Sequence, residues 1–311
     1  MRKFISILAL ALLPAAATAA ERPDWAFPSP PPNPPVVSAP DDGMPKHVPG
    51  STRAYTLKEI DAPMNAPDWF PNEHPPAPKV VVNGNGTTVR ACTSCHLSNG
   101  HGHPENSRLA GLPAGYLARQ LAEFKNGTRK GAANMLLFSK NMTADEVREA
   151  TEYFASLPVK RWTRVVETTT VPKTYFHGTR RMPIPDGGTE PIGNRVIEVP
   201  EDAVRVMLRD PTSGFVSYAP PGSLAKGQLL VATGGNGKTI ACTICHGPTL
   251  KGLAEVPGIA GQSPMNIARQ IYLMQTGERA GAWAPLMKAV VEKLSAEDIV
   301  NISAYVASLE P

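Results

Sequence analysis

Two segments carry the residue types and spacing that do chemistry: "ACTSCHLSNGHGH", beginning at Ala91, and "ACTICHGPT", beginning at Ala241. Each spells Cys-x-x-Cys-His, with Cys92, Cys95 and His96 in the first and Cys242, Cys245 and His246 in the second. Three chemistries compete for this pattern. A zinc site needs four ligands in a tetrahedral array. The first segment could add His101 and His103, but the second holds one histidine only. A redox-active dithiol is expected within a βαβ unit, and the surrounding pattern here is helical. Covalent haem attachment needs two thiols to add to the porphyrin vinyl groups, with the next imidazole reaching the iron from the same side. The macrocycle itself then imposes the spacing. Two copies of the motif point to two covalently bound haem c groups.

The remaining axial ligand must come from further along the chain, and an internal repeat locates it. "LAG" at 109–111 recurs as "IAG" at 259–261, "ARQ" at 118–120 recurs at 268–270, and "GTRKG" at 127–131 returns as "GERAG" at 277–281. Later, "TADEV" at 143–147 matches "SAEDI" at 295–299, and "YFASL" at 153–157 matches "YVASL" at 305–309. A register held over so long a stretch means duplicated domains. Met135 and Met287 occupy the same place in the two repeats, ahead of the last helix. Methionine is a soft axial partner that raises the reduction potential. Met142 is the rival at the first haem, but it aligns with Leu294 and so reads as core.

The elements that must hold these residues are legible. A helix is expected at about 114–126 and again at 264–276, each stopped by a glycine, Gly127 or Gly277. The last helix of each repeat starts at Thr143 or Ser295 as N-cap, with Glu146 or Asp298 completing a capping box. Val147, Ala150, Phe154 and Leu157 form one apolar face, as do Ile299, Ile302, Val306 and Leu309. Outside the repeats, 1–20 reads as a secretory signal: Arg2 and Lys3, an apolar run, then Ala17-Thr18-Ala19 ahead of a cleavage site near Glu21. Residues 21–78 form a proline-rich extended arm, with a capping box at Thr56. Residues 160–222 form an irregular, β-containing connecting segment between domains at 79–159 and 223–311. His101 and His103 are expected to face solvent or the haem edge. Arg129 and Arg279 are expected at helix C-termini, with a haem propionate as the alternative partner. The formal charge of +4 falls to about +2 without Arg2 and Lys3, which offers no basic surface for nucleic acid.

The chain resembles a dihaem class I cytochrome c, similar in its repeats to the cytochrome c4 group. The resemblance rests on "CxxCH", "LAG" or "IAG", "RQ", the methionine and the capped helix ending "Y.ASL". It implies a mainly α fold of two tandem domains, each holding a haem c between histidine and methionine. It also implies that a backbone carbonyl before the "xAG" turn accepts a bond from the histidine Nδ1–H. Pro257 matches that place in repeat two and Ser107 in repeat one. Such domains pack an N-terminal helix across the C-terminal one. "SLAKGQLLVATGG" supplies it in repeat two, with Ser223 as cap, whereas "PPAPKVVVNGNG" before the first motif suggests a displaced or replaced helix.

With both axial positions filled, the remaining chemistry is outer-sphere one-electron transfer. The expectation is an exported, periplasmic carrier with no membrane span in the mature chain. It would link a dehydrogenase or quinol-oxidising, bc-type donor to a terminal oxidase or reductase. The alternatives are a dedicated electron-transfer subunit of a periplasmic dehydrogenase and a dihaem enzyme with a labile ligand on the first haem. No spare cysteine exists to serve as a thiolate ligand for thiosulfate chemistry.

Overall fold

The structure is a computed structural model that describes residues 21–27, 41–86 and 88–311. The expected signal segment and the part of the proline-rich arm at 28–40 lie outside the described residues. No helix among the described residues is long and apolar enough to cross a membrane.

The arm contributes a short 3₁₀ turn, Asp24–Ala26, and helix α1, Leu57–Ile60, whose Thr56–Glu59 capping box forms as expected. Repeat one follows as α2 (Lys79–Asn83), α3 (Thr93–His96), α4 (Ala114–Lys125), α5 (Ala133–Asn141) and α6 (Ala144–Ser156). The connecting segment then supplies β1 (Thr163–Glu167), β2 (Thr170–Pro172), β3 (Thr174–His177), β4 (Arg180–Pro183), β5 (Thr189–Pro191), β6 (Ile197–Pro200), α7 (Ala203–Met207) and β7 (Phe215–Ala219). Repeat two is α8 (Ser223–Thr233), α9 (Thr243–His246), α10 (Pro264–Gln275), α11 (Ala284–Val291) and α12 (Ala296–Ser308). The whole is therefore mixed, with helices carrying the repeats and short strands confined to 163–219.

Both terminal helices open on reciprocal capping boxes, Thr143 with Glu146 and Ser295 with Asp298. Two expectations about the opening helices need correction. Ser223 is the first helical residue rather than the cap. The cap position is Gly222, with φ +84 and no side-chain bond, because the chain turns left-handed there. Repeat one does keep an opening helix, but Pro78 at its start and Gly84 at its end limit it to five residues. Val80 and Val81 bury it in the repeat-one core with Phe154 and Leu157.

β7 pairs in parallel with β1 and antiparallel with β6, from Thr163 opposite Phe215 and from Ile197 opposite Tyr218. This three-stranded sheet is not a free linker. Val171, Ile197, Val199 and Ala219 share one core with Ile299, Ile302 and Val306 of α12 and with Trp25 and Ala26 of the arm. The segment also reaches the arm. Leu208 completes a small cluster with Val48, Ile60 and Trp69, and its carbonyl accepts from Trp69 Nε1 at 2.9 Å. Asp210 is buried, and Arg205 Nε lies 2.7 Å from its carboxylate.

Candidate functional site

Each cysteine motif folds into a single helical turn. Cys92 stands at the N-cap of α3, and His96 N donates to Cys92 O at 2.9 Å; His246 N donates to Cys242 O at the same distance. Residues at positions i, i+3 and i+4 share a helix face. The turn therefore brings both thiols and the imidazole to one side, which is what the sequence spacing requires of a haem. No disulfide joins any of the four cysteines, so each sulfur is available for a thioether bond. Among the described residues, no group of three or more histidine, cysteine or acidic side chains converges as a metal site.

The loop after each motif is the same hydrogen-bonded figure twice. Gly102 N donates to His96 O as Gly252 N does to His246 O, both at 2.9 Å, and Gly111 and Gly261 reach back to Phe154 O and Val306 O of the terminal helices. This loop delivers a carbonyl to each histidine. His96 Nδ1 lies 2.8 Å from Ser107 O, and His246 Nδ1 lies 2.8 Å from Pro257 O. A carbonyl can only accept, so Nδ1 carries the proton and Nε2 is left with a free lone pair. Burial lowers both imidazoles, which favours the neutral form a metal ligand needs. The serine at 107 costs nothing here, since the backbone makes the bond.

In repeat one these groups face a cavity of about 390 Å³. Its lining includes Cys92, Cys95 and His96 together with Leu117, Phe124, Met135, Phe138 and Met142. Met135 sits half-buried in the first turn of α5, whereas Met142 is buried against the α6 core. In repeat two, Met287 lies in the first turns of α11, packed with Cys242 against the core, and Leu294 fills the place of Met142. Phe154 meets His96 edge-on, with ring centroids 6.2 Å apart.

The cavity's polar end opens on the contact between repeats. There Gln120 Oε1 accepts from Arg129 Nη1 at 2.7 Å and Arg279 Nη2 at 2.9 Å; Gln270 Oε1 accepts from Arg279 Nη1 at 2.9 Å and Arg129 Nη2 at 3.1 Å. Tyr116 Oη accepts a further bond from Arg279, at 3.0 Å. The arrangement is a local two-fold built from the duplicated "ARQ" and "G.R.G" stretches. The repeated "G.R.G" marks the arginines in the sequence, whereas the only signal for the glutamines is the shared third letter of "ARQ". Burial, then Arg279, holds Arg129 down to about 9. Arg279 is buried and Arg129 half-buried; the charge of Glu123 acts on Arg129, and the paired guanidiniums suit an anionic ligand. Apolar cavity, paired thiols, neutral imidazole and this cationic end together fit a haem with its propionates.

His101 and His103 are not at the solvent. Both are buried, because the connecting segment lies over them. His101 Nε2 accepts from Lys160 N at 3.0 Å and its ring lies against Trp162, while His103 packs edge-on to Phe215. Burial brings His101 down to about 4. His74 bonds Asp68 at 3.1 Å and Pro75 O at 2.9 Å.

No family model matches the chain. It is 27% identical over 222 residues to the thiosulfate dehydrogenase electron acceptor of Thiomonas intermedia, covering 70% of this chain and 78% of that one. To cytochrome c-554(548) of Halomonas halodenitrificans it is 39% identical over 80 residues, 25% of this chain and 96% of the relative. To cytochrome c4 of Pseudomonas aeruginosa it is 23% identical over 223 residues, covering 70% and 83%.

Proposed function

Because the chain belongs to the dihaem class I cytochromes c, with a tandem repeat like that of cytochrome c4 and two covalently bound haem c groups, we propose that it is a periplasmic one-electron carrier. It would link a dehydrogenase or quinol-oxidising donor to a terminal acceptor. Haem c supplies one-electron exchange between ferrous and ferric iron. Cys92 and Cys95 tether one group, Cys242 and Cys245 the other. His96 and His246 present Nε2 to the iron, their rings held by the bonds to Ser107 O and Pro257 O. Met135 and Met287 offer sulfur from the facing helix. Arg129 and Arg279, with Gln120 and Gln270, receive the propionates where the repeats meet.

One observation carries this reading: both repeats hold a histidine, His96 half-buried and His246 buried, whose Nδ1 is tied at 2.8 Å to a backbone carbonyl. A histidine and a methionine donor together would leave the iron no position for a substrate. A second reading, a dedicated subunit of a dehydrogenase, is favoured by the thiosulfate dehydrogenase acceptor among its relatives. Export is supported by the signal-like pattern of residues 1–20.

Optical and paramagnetic spectra of the ferric holoprotein test the ligand set. The expected outcome is two low-spin haems that do not bind carbon monoxide when reduced. Met135→Ala and Met287→Ala each convert one of them to a high-spin, carbon monoxide-binding form, while Met142→Leu leaves both low-spin. A high-spin haem in Met142→Leu would instead make Met142 the ligand of the first haem, and one in the unaltered protein would sink the carrier reading.

A further inference from the structure

A largely buried cluster of charged side chains lies between repeat one and the connecting segment. Glu105 and Arg269 line the repeat-one cavity together with Cys95 and His96. Arg180 of β4 brings Nε to 3.9 Å from the Glu105 carboxylate, and His103 Nδ1 lies at the same distance. Arg269 donates to Pro104 O at 2.8 Å and to Ala26 O of the arm at 3.1 Å. Arg209, just after α7, donates to the carbonyl of Ser94, inside the cysteine turn itself. Its ion-pair partner, Asp61, is 3.8 Å away and 66% exposed. The side chains of Arg180, Arg209 and Glu105 are only 14%, 12% and 5% exposed, so water screens their charges poorly. The repeat supplies a comparison. Glu255 stands in repeat two where Glu105 stands in repeat one, and Arg119 corresponds to Arg269. They make the reciprocal pair, with Arg119 Nη1 3.9 Å from Glu255, and among the described residues Arg119 is the one ion-pair partner of Glu255. Arg180 and Arg209 are therefore an addition made by the connecting segment to the first site alone.

We propose that Arg180 and Arg209 raise the reduction potential of the first haem and make it the first of the two to be reduced. The proposal rests on the dihaem reading above and adds the direction in which charge moves between the two groups. Reduction takes one positive charge from the iron, so a fixed cation nearby favours the ferrous state. The groups that could cancel this field are themselves held neutral or screened. Burial pushes the Glu105 and Glu198 carboxyls up, towards their protonated forms, and burial with Arg180 and Arg209 keeps His103 uncharged. Burial also lowers Arg209, and Arg269 to about 10, yet both guanidiniums stay cationic at neutral pH. Transfer from the second group to the first oxidises one iron and reduces the other by a single electron, with no bond or proton exchanged.

A pyridine haemochrome spectrum giving two haems c per chain first checks the underlying reading by itself. The holoprotein is then poised at a series of potentials, and its ferric low-spin signals are followed by electron paramagnetic resonance. The signal that Met287→Ala removes belongs to the second haem, and the other to the first. The first haem's signal is expected to vanish earlier on reduction. Arg180→Gln and Arg209→Gln should each lower its reduction equilibrium at least threefold, with the second haem unchanged. Together they should lower it at least tenfold, which is about 59 mV for one electron. Arg180→Lys and Arg209→Lys keep the charge and should keep the potential, which separates the field of the cation from the hydrogen bond to Ser94. Earlier reduction of the second haem, unchanged or equally shifted potentials in the glutamine variants, or lysine variants that fall as far as the glutamine ones would each overturn the proposal.

Discussion

Glu198 lies fully buried in β6, where Ser263 Oγ, the cap of α10, donates to its carboxyl at 2.5 Å. Burial pushes this carboxyl up to about 7, above its ordinary 4.5. The folded chain therefore holds a proton that the unfolded chain releases, so stability falls as pH rises between those two values. At about 1.4 kcal/mol per tenfold change in proton affinity, the total loss is about 3 kcal/mol. His101 works in the opposite sense. Burial lowers it from 6.5 to about 4, so its stabilisation is complete above 6.5 and is lost as pH falls. Because His101 offsets this loss, the test is a comparison of the unaltered protein with Glu198→Gln: from pH 5 to pH 8 the unaltered protein should lose about 2 kcal/mol more stability than the variant, read from denaturation midpoints. An equal drop in that variant would assign the pH dependence to another group.

At the level of elements, the crossing of α8 and α12 is the tightest contact in repeat two. A Cβ on Gly227 would lie 2.1 Å from Asn301 O and 2.6 Å from Tyr305 Cβ. Neither backbone can yield without moving a helix, so Gly227→Ala should destabilise the holoprotein by about 1–3 kcal/mol, a typical overpacking cost. Guanidinium unfolding followed by the haem absorption checks this, and a change below about 0.5 kcal/mol would mean the crossing is loose. Repeat one holds its opening helix to five residues and has no such crossing, because Pro78 and Gly84 bound a β-branched run. The turns show the reverse economy. Leu97 adopts φ +60 where Gly247 has φ +83, and Leu250 takes φ +59 where Gly100 has φ +71. Each repeat thus places one leucine in a conformation natural to glycine and buries it.

Across the whole molecule, the connecting segment is shared between the repeats. Its sheet belongs to the repeat-two core, while Trp162, Leu208, Arg209 and Phe215 cover repeat one and meet the arm. Trp69 is the arm's anchor, 1% exposed with its indole N–H on Leu208 O. Trp69→Ala removes both packing and hydrogen bond, a loss of about 3–5 kcal/mol at a fully buried aromatic. The expected result is rapid proteolysis within 41–78 and faster amide exchange at 90–99, with the spectrum of the second haem preserved. If the arm stayed resistant in that variant, its attachment would rest on other contacts.

The features settled by the sequence alone are local or duplicated. Cysteines and histidine three and four residues apart need only one helical turn to converge, and Thr143 and Ser295 cap their helices through side chains three residues away. The repeat then made Met135 and Met287 the equivalent candidates. Tertiary structure alone decided what distant segments do to those local features. Arg209 lies more than a hundred residues from Ser94, and Gln120 and Gln270 meet the arginines only because the two repeats face each other. Burial of His101 and His103 follows from Trp162 and Phe215 in the same way. Helical periodicity records which face of a segment is apolar, but it does not record which remote segment comes to cover it. That is why both cysteine turns could be read as haem sites from sequence, whereas which remote segments cover the first of them could not.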